Sequence, residues 1–362
     1  MKKLITIVAG TRPNFMKVSP LIRSLKKYSR TIKFRLVNTL QHKQYSMNKV
    51  FFDDLNIPKP DKILKIIPST NVSNIANIMI AFENDCKKFN PHLVVVVGDV
   101  DSTLACSLVA RKLNVPIAHV EAGLRSHDLT MPEEINRILT DRISKFCFAT
   151  EEDAVRQLQF EGKNKNSIFL SGDVMVDNLF YQLKKIKNVR LESDLLKKNI
   201  ESYAILTLHR PSNVDNKNNL NKILKTVNEL SKKITIFFPV HPRTKNKLKK
   251  IKIKFHKNFK FIKPLAYNNF LGLLKDSKIV LTDSGGLQVE TSALGIPCIT
   301  LRENTERPLT LEKGTNNLSG LDKKKIKKIF NEKINTQKIK CNLRVWDGNS
   351  ADRIVKKINE LI

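Results

Sequence analysis

The stretch PHLVVVVGDVDSTLACSLVARKL, residues 91–113, decides the fold. Its run Val94 to Val97 predicts a strand buried on both faces, as strands of parallel sheets are. Gly98 and Asp99 end this strand, and apolar residues then recur at helical spacing. A buried strand that leads directly into a helix is typical of βα units in a parallel sheet. We therefore expect Asp99 at the carboxyl end of a strand, where open α/β sheets bind ligands, and Asp101 at the helix N-cap.

The segment HVEAGLRSHDLTMPEEINR (119–137) carries four carboxylates, two histidines and two arginines within nineteen residues. It follows the apolar run Val115 to Ala118, which predicts the next buried strand. Glu121 and the pair Glu133/Glu134 are then expected at or just beyond the carboxyl end of that strand. A solvated, salt-bridged loop is the alternative, because clusters of charge usually lie in water. Other unusual segments also fall at strand ends, which favours a functional site.

The amino-terminal end repeats the same alternation. LITIVAG (4–10) predicts a strand, and TRPNFMKVSPLIRSLKK (11–27) predicts a helix. A helix that starts directly after a strand and a glycine presents free backbone N–H groups, which favours anion binding. Arg12 and Lys17 add positive charge close to this turn, although solvated helix residues are the alternative.

The β/α pattern restarts after a lysine-rich segment at 182–201, so we place the domain junction between 172 and 200. In the second half, His209 and His241 each follow a predicted strand and have an arginine close behind. A lone histidine at a strand end is more often structural than catalytic. The repetition of the pattern favours a functional role for both.

The segment Asp283 to Gly286 joins a predicted strand to a predicted helix. Its small residues, Ser284, Gly285 and Gly286, let backbone N–H groups approach a ligand, which predicts a diphosphate site at the helix start. Glu290, a turn further on, is suited to a ribose diol, and Arg307 is suited to neutralising a phosphate. A glycine turn that only packs the helix against the strand is the alternative.

Composition limits the class of protein. A chain of 362 residues is longer than one hydrophobic core usually supports, which predicts two domains. No run approaches the ~18 apolar residues of a membrane span, and MKKLITIVAG leads into a strand rather than a signal peptide. We therefore expect a cytoplasmic protein without membrane contact. The five cysteines lack C-x-x-C spacing, which favours buried, reduced thiols over disulfides or a metal site.

The net charge is +31, from 65 basic and 34 acidic residues. Nucleic-acid binders concentrate such charge and interleave it with aromatic residues, whereas these lysines are spread along the chain. We therefore expect no nucleic-acid partner. The excess of positive charge would still attract an anionic substrate.

Eight ordered segments are shared with a known family: GTRPNFMK (10–17), VVGDVDSTLA (96–105), HVEAGLRS (119–126), MPEEINR (131–137), TLHRPSNVD (207–215), PVHPRT (239–244), LTDSGGLQVE (281–290) and TERP (305–308). Together they resemble the non-hydrolysing UDP-N-acetylglucosamine 2-epimerases. A late segment, WDGNSADRI (346–354), extends the resemblance nearly end to end. The opening GTRPNFMK resembles the non-hydrolysing branch.

The resemblance implies an α/β protein of GT-B-like fold, with two Rossmann-type domains, parallel sheets and an active-site cleft between them. We place the domains at 1–175 and 176–345, with a C-terminal helix in 346–362 packing back on the first domain. The family further implies a homodimer. It also implies interconversion of UDP-GlcNAc and UDP-ManNAc without a cofactor, by elimination of UDP to a glycal and re-addition, for surface polysaccharide synthesis.

Matching the motifs residue by residue implies three groups of site residues. Acid/base or supporting roles fall on Asp99, Glu121, Glu133 and His209. Substrate-binding roles fall on Arg12, Lys17, Arg137, His241, Ser284, Gly285, Gly286, Glu290 and Arg307. Part of an allosteric UDP-GlcNAc site matches Gln41, His42 and Gln44, although Ser69 stands where the family pattern expects an arginine.

Three alternatives stay open at this point. The substrate of a 2-epimerase can be a modified UDP-HexNAc. A GT-B glycosyltransferase would share the fold and the UDP site, but it has less need of several carboxylates around the sugar. A non-catalytic basic binding protein would leave the clustering at strand ends unexplained.

Overall fold

The structure is a computed structural model that describes residues 2–40, 49–66, 70–240, 242–248, 251–339, 341 and 343–362. It divides into two compact units. The N-terminal unit comprises Met1–Asn178 together with Arg344–Ile362, and the C-terminal unit comprises Leu179–Leu343. The chain passes from one unit to the other inside a helix, Val174–Ile186.

In the described part of the N-terminal unit, a seven-stranded sheet has the order β3-β2-β1-β4-β5-β6-β7, and neighbouring strands run parallel. The strands are β1 (Lys3–Ala9), β2 (Ile32–Asn38), β3 (Lys62–Ile63), β4 (Leu93–Val97), β5 (Ile117–Ala122), β6 (Phe146–Ala149) and β7 (Ile168–Leu170). The helices are α1 (Arg12–Leu25), α2 (Lys49–Leu55), α3 (Asn71–Phe89), α4 (Asp101–Lys112), α5 (Pro132–Ile143), α6 (Glu152–Phe160) and α7 (Val174–Ile186).

In the described part of the C-terminal unit, a six-stranded parallel sheet has the order β10-β9-β8-β11-β12-β13. Its strands are β8 (Tyr203–Thr207), β9 (Thr235–Pro239), β10 (Phe259–Ile262), β11 (Ile279–Thr282), β12 (Cys298–Thr300) and β13 (Asn316–Leu318). Its helices are α8 (Glu192–Lys197), α9 (Pro211–Val214), α10 (Lys217–Leu230), α11 (Pro242–Leu248), α12 (Tyr267–Leu274), α13 (Gly285–Leu294), α14 (Pro308–Glu312) and α15 (Lys323–Lys333).

Both sheets follow the strand order of a Rossmann fold, which reverses direction beside the first strand of each sheet. The reversal lies between β1 and β4 in one unit and between β8 and β11 in the other. Ligands of such sheets bind outside the carboxyl ends of the strands at this switch point. The predicted parallel α/β architecture with two Rossmann-type units is confirmed.

A last helix, α16 (Ser350–Leu361), packs on α1 of the N-terminal unit. Its residues Ile354, Val355 and Ile358 are buried in the same apolar core as β1 and β4. The carboxylate of Asp177 accepts from the Ser350 N–H (3.1 Å) and the Ala351 N–H (2.7 Å), which satisfies the start of the helix.

Two sequence expectations need correction. Val100, not Asp101, is the N-cap of α4, and Asp101 lies in the first helical turn, where it accepts from Asn136 Nδ2 at 3.0 Å. Strand β5 extends beyond the apolar run Val115 to Ala118 as far as Ala122, which leaves Glu121 at its carboxyl end as expected. Among the free cysteines, Cys341 is only partly buried, while Cys86, Cys106, Cys147 and Cys298 are buried as predicted.

Candidate functional site

Glu121 lies in an irregular part of β5, close to the switch point of the N-terminal sheet. The register between β5 and β6 shifts between Val120 and Ala122, and Glu121 itself has φ +73°. Such a bulge turns a side chain away from the direction that regular pleating would give it. The Glu121 carboxylate is almost fully buried and forms an ion pair with Lys17 Nζ from α1.

Gly98 makes room for this ion pair at the carboxyl end of β4. A Cβ at this position would lie 2.8 Å from Lys17 Nζ and 3.5 Å from Glu121 Oε2. Its φ of +66° also belongs to the region that favours glycine. The structure therefore brings together the sequence motifs that contain Lys17, Gly98 and Glu121.

Arg137 joins two carboxylates beside the same strand ends. Its guanidinium forms ion pairs with Asp99, which follows β4, and with Glu134, one turn earlier in α5. The Arg137 side chain is buried, whereas the Asp99 side chain stays 29% exposed. Asp99 is thus held in place by a buried cation while it remains open to a ligand.

The two adjacent glutamates of α5 have different environments. Glu134 is buried and accepts from the Ser126 N–H (2.9 Å), the Ser126 hydroxyl (2.9 Å) and the His127 N–H (2.9 Å). Burial raises the pKa of Glu134, but these hydrogen bonds and the charge of Arg137 outweigh it and lower the net pKa. Glu133 lies in the same first turn and is partly exposed, as a group that acts on a ligand must be.

The turn between β1 and α1 is held from inside by Asn14. Its Oδ1 accepts from the Gly10 N–H and the Thr11 N–H, both at 3.2 Å, and its Nδ2 donates to the Val97 carbonyl at 3.2 Å. Arg12 begins α1 and is partly buried. Burial lowers the pKa of the Arg12 guanidinium, and the nearby charge of Asp54 opposes that effect.

The switch point of the C-terminal sheet carries a histidine and an aspartate. His209 follows β8, Asp283 follows β11, and His209 Nδ1 donates to Asp283 Oδ1 at 2.9 Å. Burial raises the pKa of Asp283. The hydrogen bond and charge of His209, together with hydrogen bonds from the Arg210 N–H and the Asn213 side chain, outweigh burial and lower the pKa overall. Because the His209 side chain is 46% exposed, its Nε2 is the atom left for a ligand.

The start of α13 shows different environments for its two glycines. Ser284 is the N-cap, and its hydroxyl accepts from the Leu287 N–H at 3.4 Å. A Cβ at Gly285 would lie 2.2 Å from Glu306 Oε1, so this glycine is needed for packing. A Cβ at Gly286 would meet only Ser284 Oγ, at 3.9 Å, so Gly286 faces open space that a ligand can enter.

A cavity of about 230 Å³ lies beside His209 in the C-terminal unit. The residues that line it are mostly apolar: Thr207, Leu208, His209, Pro239, Pro264, Leu265 and Phe270. Close by in sequence, Tyr267 Oη donates to Glu290 Oε1 at 2.6 Å. An aromatic ring, apolar walls and a polar edge are the usual composition of a pocket for a flat ring.

Arg307 is buried at the N-cap of α14, and its N–H donates to Thr305 Oγ1 at 3.1 Å. The Thr305 hydroxyl in turn donates to Gln288 Oε1 of α13 at 2.6 Å. The structure thus joins the TERP segment to the predicted diphosphate turn. His241 and the three residues of the predicted allosteric site, Gln41, His42 and Gln44, lie outside the described residues.

Comparison with known proteins agrees with these features. The family model for UDP-N-acetylglucosamine 2-epimerase matches residues 23–359. The chain is 43% identical over 361 residues to the UDP-N-acetylglucosamine 2-epimerase of Methanocaldococcus jannaschii, which covers 97% of this chain and 98% of that protein. The chain belongs to the UDP-N-acetylglucosamine 2-epimerase family.

The family assignment confirms both the predicted enzyme class, an isomerase, and the predicted GT-B-like pair of Rossmann-type domains. The crystal structure of the M. jannaschii UDP-GlcNAc 2-epimerase in complex with UDP-GlcNAc and UDP matches with a TM-score of 0.90 and 41% identity, over 99% of both chains. Membership of an epimerase family favours the isomerase over the glycosyltransferase alternative.

A second type of relative keeps the choice of substrate open. The UDP-2,3-diacetamido-2,3-dideoxy-D-glucuronate 2-epimerase of Pseudomonas aeruginosa is 38% identical over 322 residues, which cover 88% of each chain. The sugar in this relative's name carries two acetamido groups and the carboxylate of a glucuronate. The 2-epimerase family therefore includes enzymes for modified sugars.

Sequence reasoning gave no role to several residues that lie beside predicted site residues within the N-terminal or the C-terminal unit. They are Asn14 and Asp141 in the first unit, and Tyr267, Phe270 and Asp283 in the second. Asp283 had a readable signal, because it follows the strand beside the one that ends near His209. Glu134 was expected near the strand end together with Glu133, but no sequence signal told the two apart, because they differ in burial.

Two features are absent from the described part of the chain. No helix there combines the length and apolar character that a membrane span requires. No group of three or more histidine, cysteine, aspartate or glutamate side chains there has the arrangement of a metal site.

Proposed function

We propose that this family member is a non-hydrolysing UDP-N-acetylglucosamine 2-epimerase that interconverts UDP-GlcNAc and UDP-ManNAc. The observation that carries the proposal is the set of buried or partly buried charges at the ends of β4 and β5: Asp99 with Arg137, and Glu121 with Lys17. Proton transfer at a sugar carbon needs carboxylates held in a fixed geometry, which this set supplies.

The proposed reaction has two steps that share one intermediate. A carboxylate removes the C2 proton, the C2–H electron pair forms the C1=C2 bond of a glycal, and the C1–O pair leaves with UDP. Re-addition of UDP at C1, with proton delivery to the other face of C2, gives the epimer. We assign the acid/base roles to Asp99, Glu121 and Glu133. Arg12, Lys17 and Arg137 would stabilise the negative charge that develops on UDP.

We propose that the C-terminal unit holds the nucleotide. The start of α13 supplies backbone N–H groups for the diphosphate, with Gly286 facing open space, and Arg307 and His209 add polar contacts. Glu290, which already accepts from Tyr267, is suited to the ribose diol. The cavity that contains Phe270 is suited to the uracil ring.

The test is incubation of the purified protein with UDP-GlcNAc in D2O, without NAD or acceptor, followed by NMR of the C2 proton and the anomeric signals. Deuterium at C2 together with a UDP-ManNAc signal is expected. Release of free ManNAc and UDP would instead show a hydrolysing enzyme. UDP binding without exchange would contradict UDP-GlcNAc as the substrate.

A modified UDP-HexNAc is the second candidate substrate, because the P. aeruginosa relative acts on a diacetamido sugar. The same NMR assay with UDP-2,3-diacetamido-2,3-dideoxy-D-glucuronate distinguishes the two. We expect the ratio kcat/KM to be higher for UDP-GlcNAc, because the relatives of that specificity include one at 43% identity. A higher ratio for the diacetamido sugar would reverse the assignment.

We further propose that the enzyme works in the cytoplasm as a homodimer and supplies N-acetylmannosamine units for a surface polysaccharide. Cytoplasmic UDP-sugars and the family resemblance support these points. Activation by UDP-GlcNAc through Gln41, His42 and Gln44 is a separate hypothesis. Hyperbolic kinetics, with UDP-ManNAc turned over in the absence of UDP-GlcNAc, would exclude it.

A further inference from the structure

A buried carboxylate forms hydrogen bonds with the chain on both sides of Glu121, the strained residue of β5. Asp141, from α5, is 1% exposed, and its Oδ1 accepts from His119 Nδ1 at 2.6 Å. Its Oδ2 accepts from the Gly123 N–H at 3.0 Å. His119 and Gly123 lie two residues before and two residues after Glu121. One carboxylate therefore holds the chain on both sides of the bulge.

The ring of His119 extends the same support to the neighbouring strand. His119 is completely buried, and its Nε2 donates to the Gly98 carbonyl at 2.8 Å. The two ring nitrogens therefore contact one carboxylate and one carbonyl oxygen, which belong to different elements. The ring thus connects the turn that bears Asp99 to the strand that bears Glu121.

Arg125 supplies a positive charge beside the buried carboxylate of Asp141. Arg125 Nη1 lies 2.8 Å from Asp141 Oδ2, and Arg125 Nη2 lies 2.6 Å from Glu161 Oε2. An ionised carboxylate in a dry interior requires such partners. Asp141 can therefore remain an anion that accepts from both sides of the bulge.

The backbone of Glu121 explains why support is needed. A residue other than glycine at φ +73° is strained, and such strain persists only where the surroundings over-determine it. Relaxation to a regular strand would turn the carboxylate away from Lys17. The contacts of Asp141 and His119 with each other, with Gly123 and with Gly98 oppose that relaxation.

We propose that Asp141 and His119 are positioning residues that hold Glu121 and the Gly98–Asp99 turn in the geometry required for proton transfer at C2. This inference rests on the proposed function, which assigns acid/base roles to Asp99 and Glu121. It assigns a catalytic consequence to a buried pair that is outside the proposed set of acid/base groups.

The first test compares Asp141→Asn with Asp85→Asn. Asp85 is a control of similar burial in the same unit, where it accepts from Arg35 at 2.9 and 3.0 Å. An asparagine at position 141 has one acceptor oxygen, so its NH₂ must face either the His119 ring or the Gly123 N–H, which are both donors. One of the two hydrogen bonds is therefore lost. We expect kcat of Asp141→Asn to fall about 100-fold, since misplacement by about 1 Å costs that much. UDP affinity should stay within about threefold.

We expect the melting temperature of Asp85→Asn to fall by about as much as that of Asp141→Asn, while its kcat changes less than about fivefold. The limb of the kcat–pH profile that depends on Glu121 should shift in Asp141→Asn and stay unchanged in Asp85→Asn. Parallel losses of kcat in both variants, or normal kcat in a folded Asp141→Asn protein, would overturn the proposal.

A second test separates the two bonds of the imidazole without removing the carboxylate. His119→Gln keeps a donor near the Nε2 position, His119→Asn keeps one near the Nδ1 position, and His119→Phe keeps neither. We expect kcat to fall from the wild type to the Gln and Asn variants, and further in the Phe variant, while UDP affinity stays similar. Equal kcat in the three folded variants would contradict the assignment. If the wild type shows no C2 exchange, the proposed function fails instead.

Discussion

The Lys17–Glu121 pair combines two properties that ordinary surface pairs lack. Both side chains are mostly out of water, and the Glu121 backbone is held at φ +73° in a bulge. Burial strengthens the attraction between the charges, and the bulge fixes the direction of the carboxylate. A group with this geometry is suited to moving a proton at one defined atom.

At the residue scale, Glu121→Gln removes the proton acceptor but keeps the shape. We expect kcat to fall by about 10²–10⁴-fold, the usual contribution of a general acid or base. UDP affinity, measured by calorimetry, should stay within a few fold. Glu121→Asp is the matched variant and should retain more activity than Glu121→Gln. Loss of UDP binding together with turnover would make Glu121 structural.

At the element scale, the start of α13 separates packing from binding. Gly285 and Gly286 are adjacent glycines with different surroundings. Gly285 faces Glu306, whereas Gly286 faces open space. The sequence interpretation gave both glycines the same purpose, close approach of a ligand. For Gly285 the structure adds a packing reason, because the Glu306 carboxylate fills the space beside it.

Alanine substitution at each glycine tests this difference. We expect Gly285→Ala to destabilise the protein by about 1–3 kcal/mol, because the added carbon forces Glu306 to move. Gly286→Ala should leave the melting temperature unchanged or slightly raised, since alanine favours a helix. It should nevertheless weaken UDP binding about tenfold or more. Equal effects of the two substitutions on stability would contradict the assignment.

The loop that precedes α5 depends on one buried carboxylate. Glu134 accepts from two backbone N–H groups of this loop and pairs with Arg137, which also holds Asp99. Its folded-state pKa is below the usual value of 4.5. Ionised Glu134 therefore stabilises the fold fully above the unfolded pKa, and this contribution is lost as pH falls through the folded pKa.

Glu134→Gln should lower the free energy of unfolding at pH 7 by about 1–3 kcal/mol, because charged acceptors are lost from buried donors. The difference in melting temperature between wild type and variant should shrink between pH 5 and pH 3. Glu133→Gln, at the adjacent and partly exposed position, should change stability little. A wild-type–variant difference that stays constant with pH would refute the role of ionisation.

At the scale of the whole molecule, the N-terminal unit has an apolar outer layer. Helix α4 packs against both α3 and α5, and several large apolar residues of the outer two helices are exposed. They are Val72 and Ile80 of α3 and Ile135 and Leu139 of α5, which are 78%, 61%, 44% and 45% exposed. Exposed apolar clusters of this kind often mark contacts between subunits.

We expect the proposed homodimer to use this layer. The double variant Ile80→Asp, Leu139→Asp should then shift the mass measured by light scattering from that of a dimer toward 41.4 kDa. Phe160→Asp is the control, because Phe160 is 87% exposed on α6, outside this layer, and should leave the mass unchanged. A dimer that survives the double substitution would place the interface elsewhere.

Much of the architecture could be predicted because periodicity is local. The run Val94 to Val97 and the helical pattern of residues 11–27 specify their elements within a few residues of sequence, and both predictions are confirmed. Boundaries were harder, since β5 continues past its apolar run through an irregularity that is seen only in its pairing with β6. The roles of the predicted site residues remain predictions.

The sequence alone determined the class of fold, the order of the β/α units and the motifs that fall at strand ends, because each depends on residues close together in the chain. Only the tertiary structure decided which charges meet: Lys17 with Glu121, Arg137 with Asp99, and His209 with Asp283. It also decided that Glu134, not Glu133, is buried. The reason is physical, since burial and pairing depend on neighbours that parallel strand order brings together from distant parts of the sequence.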